Sequence, residues 1–208
     1  MNNPLKTVPV WDPLVRIGHW IVVAAFVTAY LTAEDSLETH EWAGYIVAGY
    51  LTVRVIWGFA GTSHARFADF FFGPSRALAY LRDMIRHRAK RYLGHSPAGG
   101  LMVFALLIML AATTATGMAE LAASYGEGPL SGIIAQRPSA ALSVANPATP
   151  DGERPESALQ QVHEIFANLT LFLIVLHISG VIAASILHRE NLVLGMVTGR
   201  KDARPHGP

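Results

Sequence analysis

Four stretches of the chain, each about 20 residues long, are almost empty of charge, and that feature limits the fold more than any other. They run over about 14–33, 39–60, 97–118 and 162–187. At 1.5 Å per residue, a helix of that length crosses a hydrocarbon layer of about 30 Å. A helix also satisfies its own backbone polar groups, which lipid cannot do. Charged residues make up 15% of the 208, against roughly a quarter in a soluble domain, and they collect between the stretches. Pro13 and Pro97 stand at starts, while Gly61 and Gly117 are read as ends. Trp11, Trp20, Tyr30, Trp42 and Trp57 lie near ends and suit the headgroup layer. Thr28-Ala29-Tyr30-Leu31-Thr32-Ala33-Glu34 offers no small-residue processing site, so the first stretch is read as a retained span. The expectation is an all-α transmembrane four-helix bundle forming one membrane domain over 1–208.

Basic residues give the orientation. Lys6, Arg16, Arg66, Arg76, Arg82, Arg86, Arg88, Lys90, Arg91, Arg189, Arg200, Lys201 and Arg204 fall on one side, and only Arg137 and Arg154 on the other. By the positive-inside rule both termini and the second–third connection are cytoplasmic. Opposite them lie Glu34, Asp35, Glu38, Glu41, Glu120, Glu127, Asp151, Glu153, Glu156 and Glu164. Two readings stay open for that acidic side: a solvated face, or a docking surface for a cationic soluble partner. Residues 74–91 alternate apolar and basic positions at helical spacing, as in a helix lying on anionic lipid. No aromatic interleaving accompanies these bases, so nucleic acid is not an expected partner. The external segment 119–161 is long and rich in Gly, Pro, Ser and Ala, a composition of binding loops and lids. Ser131-Gly132-Ile133-Ile134-Ala135 reads as a short interfacial helix or turn within it.

The chain has no cysteine, which excludes disulfides, thiolate-held metals and covalent attachment of haem through CxxCH. Its nine histidines are unequal. His163 and His177 lie 14 residues apart on the fourth span, within about 40° of one face and about 21 Å apart along the axis. That is too far for one metal ion, but each can serve its own. His19 matches the depth of His177 near the cytoplasmic side, and His40 matches His163 near the external side. Two imidazoles meeting across a bundle supply both axial ligands of a haem iron. The depths therefore predict two haems b in a stack, held non-covalently by His19 with His177 and by His40 with His163. The competing roles are interfacial capping for His19 and His40 and a hydrogen-bonded core histidine for His177. Arg54, 14 residues after His40, either pairs with the propionates of the inner haem or snorkels to headgroups. His64 and His95 either touch a propionate or a quinone head or are ordinary interfacial histidines. Gly18, Gly44, Gly99, Gly100 and Gly180 admit either a macrocycle or a close helix neighbour.

Several motifs then point to a family. Arg16-Ile17-Gly18-His19-Trp20 opens the first span and His40-Glu41-Trp42-Ala43-Gly44 the second, with Arg54-x-x-Trp57-Gly58 at its exit. Gly94-His95-Ser96-Pro97-Ala98-Gly99 leads into the third, which closes in Thr116-Gly117. Val162-His163-Glu164-Ile165-Phe166-Ala167-Asn168, followed by Leu176-His177, marks the fourth. Together these resemble bacterial cytochromes b561 related to the b-type subunits of nickel–iron hydrogenases and formate dehydrogenases, over about residues 9–200. The resemblance implies that His19, His40, His163 and His177 are axial ligands of two haems b. It also implies electron exchange with ubiquinone or menaquinone in a bacterial inner membrane.

The expected function is transmembrane electron transfer between the quinone pool and a periplasmic partner such as a soluble c-type cytochrome. Expected partners are quinone or quinol, that soluble redox protein, membrane lipid and a second copy in a homodimer. Alternatives are a superoxide oxidase reducing ubiquinone and the b-type membrane subunit of a hydrogenase-like complex. Superoxide is an anion, and the acidic outward face disfavours steering it. A transporter or structural subunit with fortuitous histidines is the reading from another class.

Overall fold

The computed structural model describes residues 7–137 and 157–203. Lys6, Asp151, Glu153, Arg154, Glu156, Arg204 and His206, which entered the charge and histidine readings, lie outside them. Four helices are long and apolar enough to cross a membrane: α1 (Pro13–Leu31), α2 (Leu37–Ala60), α4 (Pro97–Tyr125) and α5 (Ala158–His188). Their outward side chains are apolar, with Phe59 75% and Ile186 72% exposed, the inverse of a soluble helix. Shorter elements are a 3-10 turn at Phe67–Asp69, α3 (Pro74–Ile85) and α6 (Leu192–Thr198). A two-stranded antiparallel ribbon pairs β1 (Thr7–Pro9) with β2 (Arg200–Asp202). The all-helical expectation holds apart from this ribbon. Three residues per strand are too few for alternation to show in a sequence.

The chain divides into two compact units, one of residues 1–107 and 172–208 and the other of residues 108–171. In the first, Asp12 caps α1: its Oδ1 accepts from the Val15 amide at 2.9 Å, and Pro13 presets the first turn. The other carboxylate oxygen accepts from Trp57 Nε1 at 2.7 Å and Thr62 Oγ1 at 2.9 Å, tying the start of α1 to the end of α2. Ser36 caps α2, and the short connection makes α1 and α2 antiparallel neighbours. Gly18 is the close point between them. A Cβ there would run into the Tyr50 ring, so glycine is what lets that ring lie across α1.

After α2 the chain folds around Phe70, 1% exposed, whose ring meets Phe67, Phe104 and His95. α3 buries Ala77 and Tyr80 and leaves Leu78 and Ile85 exposed beside its arginines, the amphipathic pattern expected. It ends at Ile85, where the sequence reading ran on to 91. The ribbon closes the unit. Gly199, in the left-handed region at φ 78°, turns the chain from α6 into β2, and its carbonyl accepts from Val10 and Trp11 amides. Arg91 forks onto Glu190 at 2.8 and 3.1 Å and donates to the Asp202 carbonyl at 2.7 Å.

In the second unit α4 continues straight through Gly117 to Tyr125, well past the end read from the sequence. Thr113 and Thr170 meet with hydroxyls 3.0 Å apart, Thr170 being fully buried. Beyond Tyr125 the chain forms hydrogen-bonded turns over 128–134, so the Ser131–Ala135 stretch is a turn rather than a helix. Arg137 folds back on Glu120, with Nη2 at 2.9 and 3.1 Å from its oxygens. Ser124 and Ser157 hydroxyls donate to the same carboxylate at 2.5 and 2.6 Å. Glu120 is therefore an internal anchor and not part of a solvated acidic face.

Candidate cofactor site

A helical histidine can present a metal-binding lone pair only if its other ring nitrogen is a donor. His40 meets that condition: Nδ1 lies 2.8 Å from the Ala29 carbonyl on α1, which only accepts, so Nδ1 carries the proton. His163 does the same in the other unit, with Nδ1 3.0 Å from the Thr113 carbonyl and 3.3 Å from Thr116 Oγ1. Gly117 is the seat of that ring, since a Cβ there would come within 2.9 Å of His163 Cε1. Both rings are thereby left with the lone pair on Nε2.

His19 and His177 both belong to the first unit. His19 stands edge-on to Trp20 at 5.1 Å, and its Nδ1 is buried with no hydrogen-bond partner. A buried orphan nitrogen is costly unless something completes it. Among the described residues no three His, Asp or Glu side chains converge as a metal site. Two imidazoles per iron, with a macrocycle supplying the other ligands, need no such cluster.

The glycines divide by role. Beyond Gly44, one turn after His40, and Gly180, one turn after His177, a Cβ would meet nothing within 4 Å. Those positions leave room beside two of the histidines. Gly18 and Gly100 do not: the first is filled by Tyr50 and the second faces the Phe70 carbonyl. Both readings of the glycines therefore apply, at different positions.

Arg54 is 5% exposed, with its guanidinium 5.0 Å from the centre of the Phe67 ring and Nη1 without a hydrogen-bond partner. Snorkelling is thus not what its side chain does. His95 sits between Trp11 at 4.7 Å and Phe70 at 4.3 Å, and its Nδ1 is a buried orphan too. Burial first, then the nearby Arg54, Lys201, His64 and His177, pushes His95 down to about 3, so it is neutral. The sequence reading missed Lys201, counting it as a surface base. It is 6% exposed, and burial holds its ammonium below the ordinary lysine value, with Glu190 opposing and Arg91 adding. Position in the sequence gave no sign of this, because its burial depends on the ribbon.

Orphaned ring and guanidinium nitrogens, two tautomer-locked imidazoles and open space beside Gly44 and Gly180 fit a planar anionic iron cofactor. A family described as prokaryotic cytochrome b561 matches residues 10–199. A probable Ni/Fe-hydrogenase B-type cytochrome subunit of Azotobacter chroococcum is 26% identical over 149 residues, covering 57% of this chain. In that match the chain spans 61% of the relative's length. Similarly named proteins of Bradyrhizobium diazoefficiens and Cupriavidus necator are 22% and 24% identical over 95% of this chain, and 87% and 88% of their own. No solved structure matches.

Proposed function

The chain belongs to the prokaryotic cytochrome b561 family, and from that premise we propose that it carries electrons through a bacterial inner membrane on two haems b. Its four long apolar helices make it a multi-pass membrane protein. In this reading His19 and His177 ligate the inner haem, His40 and His163 the outer, and both termini face the cytoplasm. Bound there, each haem supplies one-electron chemistry whose potential is set by its ligands and burial. The chain's own residues do the rest. The Ala29 and Thr113 carbonyls fix the tautomer and rotation of His40 and His163. Arg54 offers a buried cation to the propionates of the inner haem.

The tautomer lock on two of the four histidines is the observation that carries the proposal. Each of these rings spends its one donor on a helical carbonyl and so turns its lone pair away from that helix, as an axial ligand requires. The proposed exchange partners are quinol or quinone and a periplasmic redox protein such as a c-type cytochrome. The names of the relatives favour one further reading, a b-type membrane subunit serving a hydrogenase-like complex.

The test is spectroscopic. The purified protein is expected to show b-type absorption with two haems per chain, reducible by quinol. His177→Ala is expected to lower the stoichiometry from two to one. Equal retention of both haems in that variant contradicts the pairing, and the absence of a haem spectrum in the parent protein rejects the function.

A further inference from the structure

Three side chains of the first unit, Arg54, His95 and Lys201, line one run of rings rather than an acid, and Arg16 lies close to one end of it. The Lys201 ammonium lies 5.7 Å from the centre of the Trp11 ring. Trp11 stands against His95 at 4.7 Å, and His95 against Phe70 at 4.3 Å. Phe70 meets Phe67 at 5.9 Å, and Arg54 lies over Phe67 at 5.0 Å. Arg16 joins from α1, packed against Gly199, where a Cβ would also meet the Trp11 carbonyl at 2.9 Å. Three of the four carry a buried nitrogen without a partner: Arg16 Nε, Arg54 Nη1 and His95 Nδ1.

Among the described residues no carboxylate lies within salt-bridge distance of Arg16, Arg54 or Lys201. Two acids of this unit are already engaged. Asp12 accepts from Val15, Trp57 and Thr62, and Glu190 is held by Arg91. Buried cations persist when an anion completes them. Guanidinium forks suit carboxylates in particular. Arg16 precedes His19 by three residues, so the two share one side of α1 a turn apart. A group ligated by His19 would therefore lie on the side of α1 that Arg16 shares.

We propose that Arg16, His95 and Lys201 join Arg54 in a cradle for both carboxylates of the inner haem, which makes the terminal ribbon part of the cofactor site. This rests on the haem assignment above. Lys201 reaches the cradle only because β2 pairs with β1, with Lys201 opposite Val8, and because Arg91 anchors Asp202. The ribbon therefore acts as a strap that brings Lys201 to the other three.

Redox titration of the purified holoprotein tests the cradle, combined with redox-difference infrared spectra of protein carrying haem labelled with 13C at its carboxylates. A nearby cation disfavours the ferric state, so Lys201→Met is expected to lower one of the two midpoints and leave the other in place. The labelled carboxylate band shifts in the same variant. Lys201→Arg is expected to keep both midpoints but shift the labelled band, since guanidinium replaces ammonium as donor. If Lys201→Met does not accumulate, Lys201→Arg decides alone through that band. A labelled band at the parental position in these variants, with two haems bound, overturns the cradle and leaves the haem assignment standing. A Lys201→Met effect seen only after quinol is added also overturns it, because the lysine then serves the quinone headgroup. A parent protein without haem instead rejects the assignment beneath.

Discussion

Glu120 in one unit and Arg54 in the other are both charged, and both sit inside helices long enough to span a membrane, yet their surroundings differ completely. Glu120 is answered in full: one arginine and two hydroxyls converge on its oxygens, and its side chain is 16% exposed. Arg54 is more deeply buried and is met by a ring face and an unsatisfied nitrogen. A polar cluster that closes on itself does structural work, here pinning the turn after α4 and the start of α5. An open cluster is what the proposed contact with the haem carboxylates would complete.

Stability measurements can break that contrast. Glu120→Ala removes the centre of a closed cluster and leaves Arg137 without its partner, which is expected to cost about 2–3 kcal/mol. Denaturant titration in detergent should show that loss equally with and without haem; a loss confined to the haem-loaded form would place Glu120 in the cofactor site. Arg54→Met is expected to do the opposite in haem-free protein, raising stability by roughly 1–2 kcal/mol because an uncompensated buried cation is replaced by an apolar chain. In the haem-loaded protein the same substitution should weaken retention of one haem. Destabilisation of the haem-free form would show that Arg54 is already satisfied.

Asp12 lies between these extremes, a partly exposed carboxylate with a full set of donors. Burial alone would raise its carboxyl. Hydrogen bonds from Val15, Trp57, Thr62 and Leu14 outweigh that and hold it below the ordinary aspartate value. Its contribution is therefore complete above the ordinary value and is lost as pH falls through the depressed one. Asp12→Ala is expected to cost about 1 kcal/mol at neutral pH through the lost cap. The difference from the parent should shrink on acidification, and a difference independent of pH would show that the charge contributes nothing.

Much of this was legible in the residues. The spans showed because charge is expensive in lipid, and the four histidines stood out against apolar surroundings for the same reason. What escaped has physical causes. Gly117 looked like a stop because glycine ends helices in water. Inside α4 it is a flat seat for an imidazole. Glu120 and Arg137 looked like surface charges because their sequence separation hides that they are partners. Lys201 looked like a surface base because nothing local says it is covered. Its burial is a property of two strands that begin and end the described chain.

The pairing of Thr7 with Asp202 has a topological consequence. The first and last described strands lie side by side, so the described chain between them is nearly a closed circuit. A short linker between those two neighbours would add little loop entropy. The order in which the helices occur along the chain is then a convention that this architecture does not require. The circuit could be opened elsewhere, in the turns over 128–134 for instance, with every strand and helix pairing of the first unit preserved.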